Sequence, residues 1–436
     1  MKNVSQYANS LGRCRLVVHF RVQMEIAIQR RRVPVKSIRL CTTASIAAAC
    51  VMATLAAQSA EAQTYRVLYS FQSGSDGTEP WGGVIRNVNG ALYGTTFTGG
   101  SSDYGTVFKL SNTGKETILH SFTGAPDGRG PYSGVVADAN GNLYGTTFFG
   151  GKLSCGRYME GCGTVFKLSK SGKETVLYTF TGGSDGANSS AGLIMDARGN
   201  LYGTTFYGGD LSCGQNGQGC GTVFKLSRSG KETVLHSFTG KDGANPYAGL
   251  IMDAQGNLYG TTIFGDNLAC GLGLGCGGVF KLSKTGSETV LYSFTGHADG
   301  GVPYAGVIVD AKLNLYGTTT IGGASCCGTV FKLTPTGKET VLYSFTGGSD
   351  GLAPYAGVIQ DSRGNLYGTT YQGGSGGYGT VFKLSKTGKE TVLHAFSGAD
   401  GADLYAGVIM DAKGDLYGSA ILGGASNNGV AFKLRP

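Results

Sequence analysis

The sequence predicts an all-β protein, a seven-bladed β-propeller with four antiparallel strands per blade. Three observations carry that expectation. The phrase Leu-Tyr-Gly-Thr-Thr begins at Leu92, Leu143, Leu201, Leu258, Leu315 and Leu366, and returns as Leu-Tyr-Gly-Ser-Ala at Leu416. The copies stand 50 to 58 residues apart, too long for one hairpin and suited to a four-stranded unit. The apolar segments of each unit are greasy on both faces, so each small sheet needs a neighbour on either side, as in a stack or a closed ring. The ends of the chain then select the ring. The repeats open on a lone strand-like Tyr65–Phe71 and finish on Gly429–Leu434, the segment that precedes it in every other unit. Pairing the two completes the last blade and removes two open edges.

The unit 173–231 serves for all. Thr175 to Phe180 is β-branched and aromatic, hence a strand. Thr181-Gly182-Gly183-Ser184-Asp185-Gly186 is a loop of turn residues. Ala191 to Met195 is small and apolar on both faces and belongs innermost, where blades crowd the axis. Asp196-Ala197-Arg198-Gly199-Asn200 makes a tight turn into Leu201–Phe206, and a long Gly/Cys loop leads to Gly221–Leu226. Ser229-Gly230 closes a short hairpin, with glycine where φ must be positive. No stretch beyond residue 62 shows a 3.6-residue period. The order places both tight turns on one face of the disc and both long loops on the other, which is the face expected to bind.

Residues 1–62 read differently. Arg30, Arg31, Arg32, Lys36 and Arg39 precede an apolar run from Leu40 to Ala57, closed by Ala60-Glu61-Ala62. This is the pattern of a secretory signal peptide, with the mature chain starting at Gln63 and Met24 as an alternative start. A retained membrane anchor is the rival reading, and the small residues and cleavage-like triplet count against it. Of the formal charge of +8, the leader holds +7, so the repeats are close to neutral. That argues against a nucleic-acid partner. No second apolar run of spanning length follows, so no transmembrane segment is expected in the mature chain. An exported, periplasmic or extracellular monomer is the expectation.

The phrase Pro246-Tyr247-Ala248-Gly249 through Asp253-Ala254-Gln255-Gly256-Asn257-Leu258-Tyr259-Gly260-Thr261-Thr262, with Gly-Thr-Val-Phe-Lys-Leu later, resembles the GloVer (Gloeo/Verruco) tandem repeat of exported bacterial proteins. The resemblance spans nearly all of residues 65–436. More loosely, the units are similar to NHL-type propeller repeats, which supports the ring. The resemblance implies fold and location but no chemistry. Some members end in an anchoring signal; none follows Pro436, so a soluble exported form is expected.

Eight cysteines lie in the long loops of four consecutive units: Cys155 with Cys162, Cys213 with Cys220, Cys270 with Cys276, and Cys326 with Cys327. In an exported chain they read as disulfides, paired locally. The adjacent Cys326 and Cys327 could form a strained vicinal ring, cross-pair or stay as thiols. Cys-x₂-Cys spacing or neighbouring histidine, which a zinc site would need, is missing here.

Two recurrent sets are candidate sites. Asp76, Asp127, Asp185, Asp242, Asp299, Asp350 and Asp400 each precede a glycine in the outer-to-inner loop. Seven such carboxylates could hold Ca²⁺, or the Asp-Gly pairs simply make the turn; no other cofactor is expected. Trp81, Tyr132, Tyr247, Tyr304, Tyr355 and Tyr405 stand where the inner strand begins, with Ser190 as the exception. They could form platforms for sugar rings, or pack between blades. Asp138, Asp196, Asp253, Asp310, Asp361 and Asp411 read as turn-makers on the opposite face. The strand lysines from Lys109 to Lys433 read as alkyl stems with solvated heads. His120, His236 and His394 stand where other units have tyrosine and read as packing variants. No catalytic constellation stands out from the repeat. A binding module for carbohydrate or protein is the leading expectation. A polysaccharide lyase or hydrolase working in the central channel, and a purely structural surface protein, are the alternatives.

Overall fold

The computed structural model describes residues 63–155, 160–214, 217–265, 270 and 273–436. The leader reading falls on residues 1–62, outside the described set. Seven four-stranded antiparallel sheets form the blades of a propeller. In blade 3 the strands from axis to rim are Ile194–Met195, Leu201–Thr205, Thr222–Leu226 and Glu232–Ser237. The other blades repeat this order. In blade 7 the rim strand is the N-terminal Thr64–Ser70, paired with Val430–Arg435 in the register Tyr65 to Leu434 and Val67 to Phe432. Tyr65 also stacks on His394 of blade 6 at 3.9 Å and donates its hydroxyl to the Asp400 carbonyl at 2.6 Å. The first strand therefore closes the ring and seals its last seam. Among the described residues no helix is long and apolar enough to cross a membrane.

The repeated pentapeptide owes each letter to a separate contact. Its leucine is core, Leu201 being 2% exposed. The tyrosine hydroxyl donates to the turn aspartate, as Tyr202 does to Asp196 Oδ2 at 3.1 Å. That aspartate also accepts the Arg198 and Asn200 amides, an Asx turn that shapes the hairpin. Over the same tyrosine ring lies the strand lysine; the seven lysine–tyrosine pairs are 5.5–5.8 Å apart. The lysines thus make cation–π contacts as well as packing their stems. Glycine is required because the Phe224 ring lies against it: a Cβ on Gly203 would sit 2.8 Å from Phe224 Cζ. The second threonine, Thr205, pairs with Thr222 within the blade at 2.9 Å. In blade 7 both partners are replaced together, by Ala420 and Val430.

The first threonine works between blades. Thr95, Thr146, Thr204, Thr261, Thr318, Thr369 and Ser419 donate to the carbonyls of Ser133, Ala191, Ala248, Ala305, Ala356, Ala406 and Gly82 at 2.8–3.1 Å. Each acceptor belongs to the following blade, so these buried bonds run once round the axis. Farther out, a phenylalanine at the end of each rim strand packs edge-on against one in the next blade, from Phe71–Phe108 to Phe396–Phe432, at 5.1–5.4 Å. Such pairs contribute about 0.5–1.5 kcal/mol each beyond their burial. The blades are joined by many small identical contacts.

The innermost strand is shorter than its apolar run suggests. Only two residues per blade keep ladder pairing. The preceding residues leave the sheet and lean on the neighbouring blade: a Cβ on Gly134 would lie 2.3 Å from the Gly83 carbonyl oxygen. Crowding at the axis is what shortens the strand.

Candidate functional site

The axis opens onto the long-loop face through a collar of aromatic rings. The collar is built by a recurrent backbone bend two residues before each ring. Glu79, Asn188, Asn245, Val302, Ala353 and Asp403 occupy left-handed conformations with φ of 52–57°, and Gly130 takes that place in blade 2 at 59°. A β-branched residue such as Val302 is rare there, and strain of this kind collects where a fold over-determines geometry for use. The bend is held from the preceding blade. The Asn245 amide donates to the Cys220 carbonyl at 2.7 Å, and the Val302 amide to the Cys276 carbonyl at 2.8 Å.

The disulfide-bearing loops therefore brace the collar. Cys155–Cys162, Cys213–Cys220 and Cys270–Cys276 are bonded as the local pairing predicts. In the fourth loop the Cys326 and Cys327 sulfurs lie 3.8 Å apart, beyond bonding distance, and Cys327 donates to the Ser325 carbonyl.

The structure brings together the six aromatic residues singled out from sequence. Ring centroids run Tyr247–Tyr304 at 5.1 Å, Tyr304–Tyr355 at 4.8 Å, Tyr355–Tyr405 at 4.7 Å, Tyr405–Trp81 at 4.6 Å and Trp81–Tyr132 at 5.3 Å. Ser190 interrupts the circle between Tyr132 and Tyr247 and donates its hydroxyl to the Tyr247 carbonyl at 2.9 Å. The collar thus has one polar notch. Below it the channel forms a cavity of about 360 Å³ walled by Gly82, Gly83 and their equivalents, and none of its lining residues is charged.

A second tier escaped the sequence reading. Phe97, Phe148, Phe206 and Tyr371 each touch a collar ring, at 4.8 Å for Phe97–Tyr132 and 5.0 Å for Tyr371–Tyr405. They directly follow the pentapeptide in their units, and that shared place was the available signal. Two carboxylates accompany them. Glu79 accepts the Trp81 indole N–H at 3.2 Å, and Asp403 lies against Tyr371. Burial raises the Tyr132, Tyr247, Tyr355 and Tyr405 phenols, and Tyr371 is pushed up to about 12 by burial and Asp403. These groups stay neutral and keep a proton to donate.

The seven loop aspartates are engaged on their own blades. Asp185 accepts the Tyr178 hydroxyl at 3.0 Å and the Thr181 amide and hydroxyl at 2.8 and 2.6 Å. Asp299 and Asp350 repeat this with Tyr292 and Tyr343. Asp76 accepts from Tyr69 and the Gln72 amide. In the remaining three, histidine replaces tyrosine: His120–Asp127 at 3.1 Å, His236–Asp242 at 2.9 Å and His394–Asp400 at 2.8 Å. The aspartates order the loops that leave the rim strands, and the histidines keep the tyrosine's bond as well as its packing.

The profile of the Gloeobacter/Verrucomicrobia repeat matches residues 42–273 and 269–436. No characterised protein matches the sequence significantly. Solved structures of similar shape include a gluconolactonase from Xanthomonas campestris, 16% identical over 68% of this chain and 82% of that one, with a TM-score of 0.40. Another is an extracellular domain assigned to a one component system of B. thetaiotaomicron, 10% identical over 84% of this chain and 39% of that one, with a TM-score of 0.48. A luciferin-regenerating enzyme is 16% identical over 69% of this chain and 90% of that one, with a TM-score of 0.42. Likeness of this degree carries nothing about ligand or reaction.

Proposed function

Because the chain belongs to the Gloeobacter/Verrucomicrobia repeat family, we propose that it is an exported propeller that binds carbohydrate at the aromatic collar. The leader pattern and the three disulfides support export. The observation that carries the binding site is the convergence of six aromatic side chains on one mouth of the channel, beside a serine notch. Sugar rings present apolar faces that lie on such platforms, while their hydroxyls take hydrogen bonds from neutral phenols and give them to Glu79 and Asp403. The phenols stay protonated and the channel wall carries no charged residue, which supports recognition. Binding of purified protein on a glycan array, followed by calorimetry, tests the reading. Tyr304→Ala and Tyr247→Ala are expected to weaken binding by tenfold or more with the circular dichroism unchanged. Absence of any glycan ligand, or binding indifferent to both variants, would refute it.

A further inference from the structure

A different cluster lies at the rim, on the seam between blades 3 and 4. The rim strand Glu232–Ser237 carries His236, the loop after it carries Asp242, and the next rim strand, Glu288–Ser293, begins with Glu288. One ligand atom from each of these three residues falls within 4.8 Å of the other two. Among the described residues no other group of three meets that condition. His236 Nε2 and Asp242 Oδ2 stand 2.9 Å apart. Donors at ~2.1 Å from a tetrahedral ion of the zinc class stand about 3.4 Å from one another. An ion entering between them exchanges the His236–Asp242 hydrogen bond for two metal bonds, with the pair opening slightly and the glutamate closing in to complete the set.

Two features of the sequence single out this seam. Rim tyrosines occupy the histidine's place in blades 2, 4, 5 and 7, as Tyr178, Tyr292, Tyr343 and Tyr69, and a phenol at that place is a poor ligand at neutral pH. In addition, Glu116, Glu174, Glu232, Glu339 and Glu390 each follow a lysine, whereas Glu288 follows Ser287. Among the rim strands that begin with glutamate, this one alone lacks the cationic neighbour that would oppose a metal ion. Lys241, beside Asp242, is exposed to solvent. His236 and Asp242 keep side-chain exposures of 17% and 21%, so an ion can reach them.

We propose that this seam binds one divalent ion of the zinc class through His236, Asp242 and Glu288, with water in the remaining position. Imidazole with two carboxylates suits zinc, cobalt or manganese better than calcium, which prefers six or more oxygens. The ion would tie blade 3 to blade 4 at the rim, where the ring has its longest lever arm.

The test uses purified full-length protein, chelator-stripped, with thiols alkylated, and titrated with Zn²⁺ by calorimetry. One equivalent is expected, with affinity at least tenfold weaker in His236→Tyr and unchanged in His120→Tyr and His394→Tyr. The tyrosine substitution restores the residue that other blades carry, so the fold is expected to survive. Should His236→Tyr prove unfolded by circular dichroism, Glu288→Gln replaces it and must weaken binding likewise. Stoichiometry far from one, undiminished binding in the seam variant, or equal weakening in His394→Tyr would each overturn the proposal.

Discussion

Replacing Thr204 by valine removes one bond from the buried circle around the axis and changes little else. Thr204 is 0% exposed and donates to the Ala248 carbonyl of the next blade at 3.1 Å. Valine matches threonine in shape, so no cavity opens; the Ala248 carbonyl, in a residue 8% exposed, loses the donor. A buried acceptor left in that state costs about 1–3 kcal/mol. Burying a methyl in place of a hydroxyl returns part of this, which leaves an expected loss of about 1–2 kcal/mol. Serine keeps the hydroxyl and loses one methyl group, worth about 0.8 kcal/mol. Ser419 already fills this role in blade 7, donating to the Gly82 carbonyl at 3.1 Å. Equilibrium urea unfolding of both variants separates the two effects through their midpoints. Thr146→Val with Thr204→Val should double the single loss, since the two hydroxyls have separate acceptors. A valine variant as stable as the parent, or a serine variant as damaged as the valine one, would refute the claim that these bonds hold the blades together.

Two further outcomes follow from the same contacts. Glu232 is pushed up to about 7 by burial and by Asp185 across the seam; Glu116, Glu339 and Glu390 are placed likewise beside Asp76, Asp299 and Asp350. Below about pH 4.5 the carboxyl is protonated folded or unfolded. Above it the unfolded chain releases the proton first, so the stability from this group is lost as pH rises to about 7 and is level beyond. Glu232→Gln should therefore match the parent near pH 4 and melt higher at pH 8, and an equal difference at both would contradict the assignment. Cys213→Ser with Cys220→Ser opens a loop of sequence separation 7, and a loop that short accounts for roughly 2 kcal/mol. Its urea midpoint should fall accordingly, and glycan binding should weaken because the Cys220 carbonyl positions Asn245.

Much of this was legible without coordinates, for a physical reason. Strands, turns and their order depend on local chemistry, and six copies of Leu-Tyr-Gly-Thr-Thr with a seventh, Leu-Tyr-Gly-Ser-Ala, make that chemistry unmistakable. The ring closure was readable too, because a lone first strand and an unpartnered last hairpin state their own complement. Local disulfides at Cys155, Cys213 and Cys270 followed from an even cysteine count in a chain read as exported, with the nearest partner as the simplest pairing. The collar aromatics were named individually from their place in the unit, although the sequence left open whether they faced a ligand or one another.

What only the tertiary structure decided lies between blades, where the partners are about 40 residues or more apart and belong to different repeats. Thr204 looks like any strand threonine until Ala248 of the next blade is beside it. Glu288 reads as a rim-strand residue until the seam sets it near His236 and Asp242. The loop aspartates, which the sequence offered as a ring or as turn-makers, each accept from a tyrosine or histidine of the rim strand and from a nearby loop amide. Residues within a unit meet through covalent proximity, which a sequence records. Residues across a seam meet only because the ring has closed with a given number of blades and a given twist, and no single repeat encodes that.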